Sequence, residues 1–316
     1  MKKQICLTLV VMLVFTIFFG CSSKKTEETT SPTQQETYIS DVVDWYDFPQ
    51  YESTGNIRDC KELDFGAKCE TYSFLYNSDG FWVKGFISIP EACISEKTPC
   101  NCIVYNRGGN VNMGYVTGEE IAMICDATGR VVVASQYRGA DGSQGKDEFG
   151  GADVSDVISL IDLCEQDFEF ADINNLCMVG VSRGGMMSYI TARKDTRVKG
   201  VVAVSAVTDL TSAYNQREDM KIILGSSIGG SPEDKPKEYA QRSAINWADE
   251  INVPVYIIHS KNDELVSVTQ AEEMSEKLES LQKDVTLKIY EDDVHGFHKE
   301  DIPELVQWIN QKLPRN

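Results

Sequence analysis

The chain has 316 residues and a formal net charge of −19, which argues against nucleic acid and anionic lipid as partners, because like charges repel. Its length allows one large α/β domain or two small ones, and an apolar share of 42% supports a substantial core. Ten cysteines without a CxxC pair, and three histidines, predict no metal site; we also expect no cofactor.

The first 21 residues have the pattern of an export signal. A basic start, Met1-Lys2-Lys3, precedes an almost wholly apolar run from Ile5 to Phe19, and Gly20-Cys21 follows. Because the run ends at a small residue before a cysteine, the pattern resembles a bacterial lipoprotein signal, in which residues 1–20 are removed and Cys21 is lipidated. An uncleaved membrane anchor is the alternative. Both interpretations predict an exported protein held at the cell membrane.

A polar segment separates this signal from the rest of the chain. Residues 22–36 carry no large apolar side chain, so the segment cannot offset the entropy lost on ordering. We therefore predict a disordered tether over residues 21–40 and one folded domain over residues 41–316.

From Thr71 onward, strand and helix patterns alternate. Two β-rich runs, Thr71–Tyr76 and Phe81–Pro90, are joined by Asn77-Ser78-Asp79-Gly80, which predicts a hairpin. Further strands are predicted over residues 102–105, 130–137, 176–179, 198–207, 253–259 and 285–290. Helices are predicted over residues 118–128, 152–168, 268–281 and 302–313, and directly after residue 182. Residues 208–250 interrupt this alternation of strands and helices and are interpreted as an inserted helical segment.

This alternation of strands and helices predicts the fold class. It indicates an α/β domain with a mainly parallel sheet and helices on both faces, while the first hairpin adds antiparallel strands at one edge.

Eight of the ten cysteines lie after Cys21. Cys60 with Cys69, and Cys93 with Cys100 or Cys102, are close in sequence and near predicted loops, so they are candidate disulfides in an exported protein. Buried thiols are predicted where the cysteine falls in an apolar helix or strand pattern, at Cys125, Cys164 and Cys177.

The pentapeptide Gly180-Val181-Ser182-Arg183-Gly184 lies between a predicted strand and a predicted helix, which is the pattern of a nucleophile elbow. A serine on such a tight turn projects its hydroxyl out of the sheet, and glycines two residues before and after it let strand and helix pass closely. An ordinary glycine-rich turn has the same appearance. The assignment therefore depends on partner residues later in the chain.

A nucleophilic serine needs a base that takes its proton, and folds with this elbow place the acid and then the histidine after it in the chain, each following a strand. His295 follows the strand predicted over residues 285–290 and is the predicted base. His298, three residues later, is the rival.

The acid is expected after the preceding strand. Asp263 and Glu264 are both candidates there, in a loop that could equally be a solvated charged turn. His259, at the end of that strand, is interpreted as a structural residue that supports the loop.

An oxyanion formed by attack of Ser182 would need two hydrogen-bond donors. The backbone N–H of Arg183 is the first. The second is expected from the loop after strand 102–105, where Tyr105, Arg107 or a glycine such as Gly108 could serve.

These motifs together resemble the catalytic domain of the prolyl oligopeptidase family, over about residues 70–313. The segments that carry the resemblance are Val104-Tyr105-Asn106-Arg107-Gly108-Gly109, Gln136-Tyr137-Arg138-Gly139, Gly180-Val181-Ser182-Arg183-Gly184-Gly185, His259-Ser260-Lys261-Asn262-Asp263-Glu264-Leu265-Val266 and His295-Gly296-Phe297. The resemblance implies an α/β-hydrolase fold with Ser182, Asp263 and His295 as the catalytic triad. It also implies cleavage of peptide bonds near proline, or of esters and amides by relatives.

Two features depart from the family pattern. Only about 70 residues precede the similar region, whereas the family's peptidases carry a β-propeller there. Arg107 occupies the position of the tyrosine whose hydroxyl donates to the oxyanion in those enzymes. Residues 137–139 are expected to brace the sheet edge rather than to contact substrate.

The sequence thus predicts a serine hydrolase that acts through an acyl-enzyme, with a peptidase favoured. A carboxylesterase or deacetylase acting on small esters or polysaccharide is the first alternative. A binding lipoprotein without catalytic activity is the second.

Overall fold

A nine-stranded sheet forms the centre of the structure, a computed structural model that describes residues 47–111 and 113–315. The strands are β1 (Ile57–Leu63), β2 (Cys69–Ser78), β3 (Phe81–Pro90), β4 (Cys100–Asn106), β5 (Val131–Ser135), β6 (Ala171–Val181), β7 (Val198–Val204), β8 (Val255–Ser260) and β9 (Val285–Tyr290). Their order across the sheet is β1-β2-β3-β5-β4-β6-β7-β8-β9. The pairs β1–β2, β2–β3 and β3–β5 are antiparallel. The pairs β5–β4, β4–β6, β6–β7, β7–β8 and β8–β9 are parallel.

Helices follow most of the parallel strands. They are α1 (Glu91–Glu96), α2 (Gly118–Thr128), α3 (Val154–Gln166), α4 (Arg183–Lys194), α5 (Leu210–Gln216), α6 (Glu218–Ile228), α7 (Pro236–Arg242), α8 (Thr269–Ser280) and α9 (Asp301–Lys312). Two 3-10 helices cover Phe48–Thr54 and Ala244–Glu250. Helices α5, α6 and α7 and the second 3-10 helix lie within the segment 208–250.

Two apolar cores lie on the two faces of the sheet. One contains buried side chains of α3, α4 and α8, and the other contains those of α2 and α9. Neighbouring residues of β4 alternate between them, since Val104 joins the first core and Ile103 and Tyr105 join the second. This arrangement confirms the predicted parallel sheet with helices on both faces.

The predicted hairpin is present as β2 and β3. Ser78 pairs with Phe81, so Asp79 and Gly80 form a two-residue turn, with φ of 49° and 82°. Two consecutive positive φ angles are those of a type I′ turn, which Asp-Gly favours.

Three elements at the start of the fold are not predicted from the sequence: the first 3-10 helix, β1 and α1. In β1 Ile57 is the buried residue and the other six are partly or fully exposed, so no alternating apolar pattern marks the strand. Helix α1 has six residues, fewer than two turns.

The candidate disulfides are not formed, since the eight described cysteines are all free thiols. Cys60 cannot reach Cys69, because Leu63 pairs with Thr71 and Cys69 therefore lies beyond the end of β1. Cys69 instead contacts the Cys125 thiol of α2, and Cys93 contacts that of Cys100.

The three thiols predicted to be buried are buried, which confirms that part of the prediction: Cys125, Cys164 and Cys177. Among residues 47–111 and 113–315, no helix is both long enough and apolar enough to cross a membrane. The predicted signal and Cys21 lie outside the described residues.

Candidate active site

Ser182 lies at the turn between β6 and α4, with φ of 58° and ψ of −122°. Few residues other than glycine adopt this backbone region, and they do so mostly where surrounding structure enforces it. A Cβ at Gly180 would overlap the Gly184 carbonyl oxygen, and a Cβ at Gly184 would overlap the Asn106 carbonyl oxygen. The two glycines of the pentapeptide are therefore required by close backbone packing, as expected for an elbow.

Asp263 and His295 form a hydrogen-bonded pair. The His295 Nδ1–H donates to Asp263 Oδ2 at 2.7 Å, while Asp263 Oδ1 accepts from the backbone N–H groups of Leu265 and Val266 at 2.9 and 3.1 Å. The Asp263 side chain is fully buried and that of His295 is 16% exposed. With Nδ1 protonated toward the carboxylate, Nε2 of a neutral His295 keeps the lone pair that a general base needs.

The pKa of Asp263 is set by opposing influences. Burial alone would raise it, but interactions with His259 and His295 hold the pKa of Asp263 well below its usual range. His259 donates its Nε2–H to the Val266 carbonyl oxygen at 2.8 Å and lies 3.4 Å from Asp263 Oδ2. His259 thus supports the loop of the carboxylate, as the sequence predicts.

Neither rival residue occupies an equivalent place. Glu264 is exposed. His298 stacks on Tyr290 at a ring separation of 3.8 Å, its Nε2 lies 2.9 Å from Asp292, and its backbone N–H donates to Asp301. His298 therefore anchors the start of α9.

The loop of His295 reaches the end of the strand that carries Ser182. The Gly296 N–H donates to Ser205 Oγ at 3.2 Å, and a Cβ at Gly296 would lie 3.9 Å from the Val181 side chain. The Ser182 N–H donates to the Val204 carbonyl oxygen at 2.8 Å, which ties the elbow to β7. These contacts place the loop that carries His295 next to the end of β6, where the elbow begins.

The loop after β4 packs against the elbow of Ser182. A Cβ at Gly108 would lie 3.3 Å from Ser182 Cβ, so the Gly108 backbone is in direct proximity to the serine. The Arg107 guanidinium is buried, and it donates to the carbonyl oxygen of Met113 in its own loop and to that of Gln136 after β5. Tyr105 is largely buried, and burial raises the pKa of its phenol.

Arg183 has a structural role that the sequence analysis did not detect. Its buried guanidinium forms ion pairs with Asp147 and Asp153 and lies over the rings of Tyr137 and Phe149 at 4.9 and 4.6 Å. Burial would raise the pKa of Asp147, but the charge of Arg183 lowers it below its usual range. The ion pairs hold the first residue of α4 in place, so they position the backbone N–H that follows Ser182. No local pattern marks Asp147 or Asp153.

Residues 137–139 brace the sheet, in agreement with the sequence prediction. The Tyr137 hydroxyl contacts the Asn106 side chain and the Arg107 carbonyl oxygen, both at 3.3 Å. Arg138 forms ion pairs with buried Asp156 of α3 at 2.7 Å and with Asp79 of the hairpin turn at 2.9 Å.

A cleft of about 360 Å³ opens between α2 and α9, with His295 and Val181 in its lining. Its other lining residues are mainly apolar, and they include Tyr105, Met123, Phe297 and Ile302.

A sheet of this order, with an elbow serine after β6 and an Asp–His pair after β8 and β9, defines an α/β hydrolase. The chain belongs to the prolyl oligopeptidase family, since the sequence model of that family matches residues 118–313.

One relative by sequence and two solved structures of similar fold show what the chain is similar to. It is 30% identical over 246 residues to the uncharacterized peptidase YtmA of Bacillus subtilis (strain 168), over 76% of this chain and 93% of that protein. Acylaminoacyl peptidase of Pyrococcus horikoshii has a similar fold, with a TM-score of 0.68 and 20% identity, over 78% of this chain and 42% of that longer chain. Acetyl xylan esterase 1 of Thermoanaerobacterium sp. JW/SL YS485 has a TM-score of 0.62 and 18% identity, over 84% of this chain and 93% of that chain. The protein is thus a serine hydrolase, and its named relatives favour a peptidase.

Proposed function

We propose that the chain is a serine peptidase that works through an acyl-enzyme, with Ser182 as nucleophile, His295 as general base and Asp263 as the residue that orients His295. The observation that carries the proposal is the 2.7 Å hydrogen bond between Asp263 and His295 on a loop beside the elbow serine. Their chain order, Ser182 before Asp263 before His295, is that of the α/β hydrolases.

The reaction would proceed in two halves. Ser182 Oγ attacks the substrate carbonyl carbon and passes its proton to His295 Nε2, and Asp263 stabilises the resulting imidazolium. Collapse of the tetrahedral intermediate breaks the C–N bond, and His295 returns the proton to the departing amine. Water then attacks the acyl-enzyme by the same route and restores Ser182.

The backbone donates to the oxyanion in this proposal. The Arg183 N–H opens α4, where the unpaired N–H groups and the helix dipole favour negative charge. The second donor is the backbone of the loop at Gly108, which lies against Ser182. The Arg107 guanidinium donates to the carbonyl oxygens of Gln136 and Met113, which favours a backbone donor over this side chain.

Labelling with a fluorophosphonate probe tests the nucleophile. The wild-type protein should react at one serine, and Ser182→Ala should not react, because the probe forms a bond only with an activated hydroxyl. Equal labelling of both proteins would remove Ser182 from the mechanism. A folded wild-type protein that resists the probe would favour the binding lipoprotein.

A matched substrate panel tests the bond that is cut. Peptide p-nitroanilides with proline next to the scissile bond should be hydrolysed in preference to the p-nitrophenyl esters of acetic and butyric acid. A reversed preference, with acetylated xylan fragments also cleaved, would favour the esterase.

We also propose that the protein is exported and anchored to the cell membrane by a lipid on Cys21. The apolar run and Gly20-Cys21 support this proposal. Full-length protein should take up a clickable fatty acid in cells and sediment with membranes, whereas Cys21→Ala should not incorporate it. Fatty-acid labelling that survives Cys21→Ala would contradict the assignment.

A further inference from the structure

The cleft between α2 and α9 has no part in the mechanism so far. At about 360 Å³ it exceeds the cavity of roughly 150 Å³ that can hold benzene in a protein core. Met123 of α2 and Ile302 of α9 are 56% and 41% exposed, and both line it. Single exposed apolar residues are common, but here the two belong to one concave apolar surface.

The position of His295 decides which part of a substrate can enter the cleft. His295 gives its proton to the atom that leaves, so the leaving group lies on its side of Ser182. The carbonyl oxygen would face the Arg183 N–H at the start of α4 and the backbone of Gly108, which lies against Ser182. His295, Gly296 and Phe297 all line the cleft, and Val181 lines it directly before the serine. The cleft therefore opens from the leaving-group side.

We infer that this cleft is a binding subsite for an apolar, uncharged leaving group, such as the residue after the scissile bond when that residue has a branched aliphatic or aromatic side chain. The inference rests on the proposed function of Ser182 and His295. It adds a specificity determinant built from α2 and α9.

Charge in the cleft further limits the occupant. Glu120 is the carboxylate among the lining residues, and its Oε2 accepts from the Thr117 N–H at 2.7 Å at the start of α2. A carboxylate in an apolar, partly enclosed cleft repels a second carboxylate. Leaving groups with a free α-carboxylate should therefore bind less well than their amides.

Capture of the acyl-enzyme by added amines tests the subsite separately from the acyl group. The wild-type protein is acylated with one chromogenic substrate, and glycinamide, leucinamide or free leucine then competes with water. The amine nitrogen bonds to the acyl carbon, the Ser182 ester bond breaks, and the amine proton returns to Ser182 through His295. Leucinamide should capture the acyl-enzyme at least tenfold better than glycinamide. Moving a leucine side chain from water into an apolar site favours binding by about tenfold or more. Free leucine should be poorer than leucinamide.

Ala127→Trp is the variant that fills the cleft. Ala127 is exposed on α2 and lines the cleft, so a larger side chain there narrows the site without disturbing the core. The preference for leucinamide should fall at least fivefold. Ala92→Trp is the matched control, because Ala92 is also exposed but lies in α1 outside the cleft lining, and it should keep the wild-type preference.

Fluorophosphonate labelling separates the two ways in which the inference can fail. Its fluoride leaving group is too small to need the subsite, so labelling of the wild-type protein and of Ala92→Trp reports the reactivity of Ser182 independently of the cleft. Normal labelling with equal capture of glycinamide and leucinamide would overturn the subsite and leave the proposed function standing. Loss of preference in both tryptophan variants would also overturn it. A wild-type protein that does not label would refute the proposed function itself.

Discussion

At the scale of single residues, hydrogen bonds assign one role to each oxygen of Asp263. Oδ1 is held by two backbone N–H groups of its own loop, and Oδ2 faces His295. A carboxylate held at one oxygen cannot rotate away from the imidazole, so His295 keeps the tautomer that leaves Nε2 free. The sequence left Asp263 and Glu264 as alternatives, and burial of Asp263 with exposure of Glu264 separates them.

Replacing the two histidines separately should have very different results. His295→Ala should lower kcat by about 10⁴-fold or more, because the serine loses its base. His298→Ala should stay within about tenfold of wild type, since His298 contacts Asp292, Asp301 and Tyr290. Steady-state hydrolysis of a chromogenic substrate measures both.

Circular dichroism serves as the control for folding of the two variants. An active His295→Ala protein beside an inactive but folded His298→Ala protein would reverse the assignment of the base.

At the scale of secondary-structure elements, Arg138 joins three parts of the fold. From the segment after β5 it reaches α3 through Asp156, and the β2–β3 turn through Ser78 and Asp79. Asp156 is fully buried, so its charge depends on this arginine for compensation. The antiparallel hairpin is thereby attached to the parallel part of the sheet by charge as well as by strand pairing.

Arg138→Met should lower the free energy of unfolding by about 3–5 kcal/mol, because it leaves Asp156 buried without its partner. The double variant Arg138→Met with Asp156→Asn should recover about 2 kcal/mol, since the amide removes the charge and can still accept from the residue 138 N–H. Urea unfolding of the three proteins gives the comparison. A double variant no more stable than the single one would show that the charge of Asp156 is not the cause.

Elements with a strong local pattern could be predicted from the sequence. The Asp79-Gly80 turn, the buried strands and the glycines around Ser182 depend on local backbone chemistry. Strand β1 could not be predicted, because its pairing with β2 supplies the structure that its own side chains do not encode.

At the scale of the whole molecule, the parallel strands explain why distant residues form one site. Ser182, Asp263 and His295 each follow a strand of the parallel part of the sheet, and the carboxyl ends of such strands share one edge. Chain order and strand ends therefore indicate which loops carry the candidate residues, but they leave Asp263 and Glu264, and His295 and His298, as alternatives. The α2–α9 cleft and the ion pairs of Arg183 could not be predicted, because they arise between segments that only the complete fold brings together.

The backbone of Ser182 implies a trade between activity and thermal stability. Its φ of 58° with ψ of −122° disfavours any side chain with a Cβ, at a typical cost of about 1–3 kcal/mol. Ser182→Ala keeps that cost, whereas Ser182→Gly relieves it and loses about 0.5–1 kcal/mol to the greater freedom of unfolded glycine. We expect the glycine variant to melt about 2–4 °C above the alanine variant by calorimetry.

Equal melting temperatures would mean that the strain of the turn only offsets the entropy that glycine loses on folding, and a glycine variant that melts below the alanine variant would mean that the turn carries less strain than that. A higher value for the glycine variant would mean that the wild-type fold gives up heat resistance at one residue in order to present a hydroxyl there.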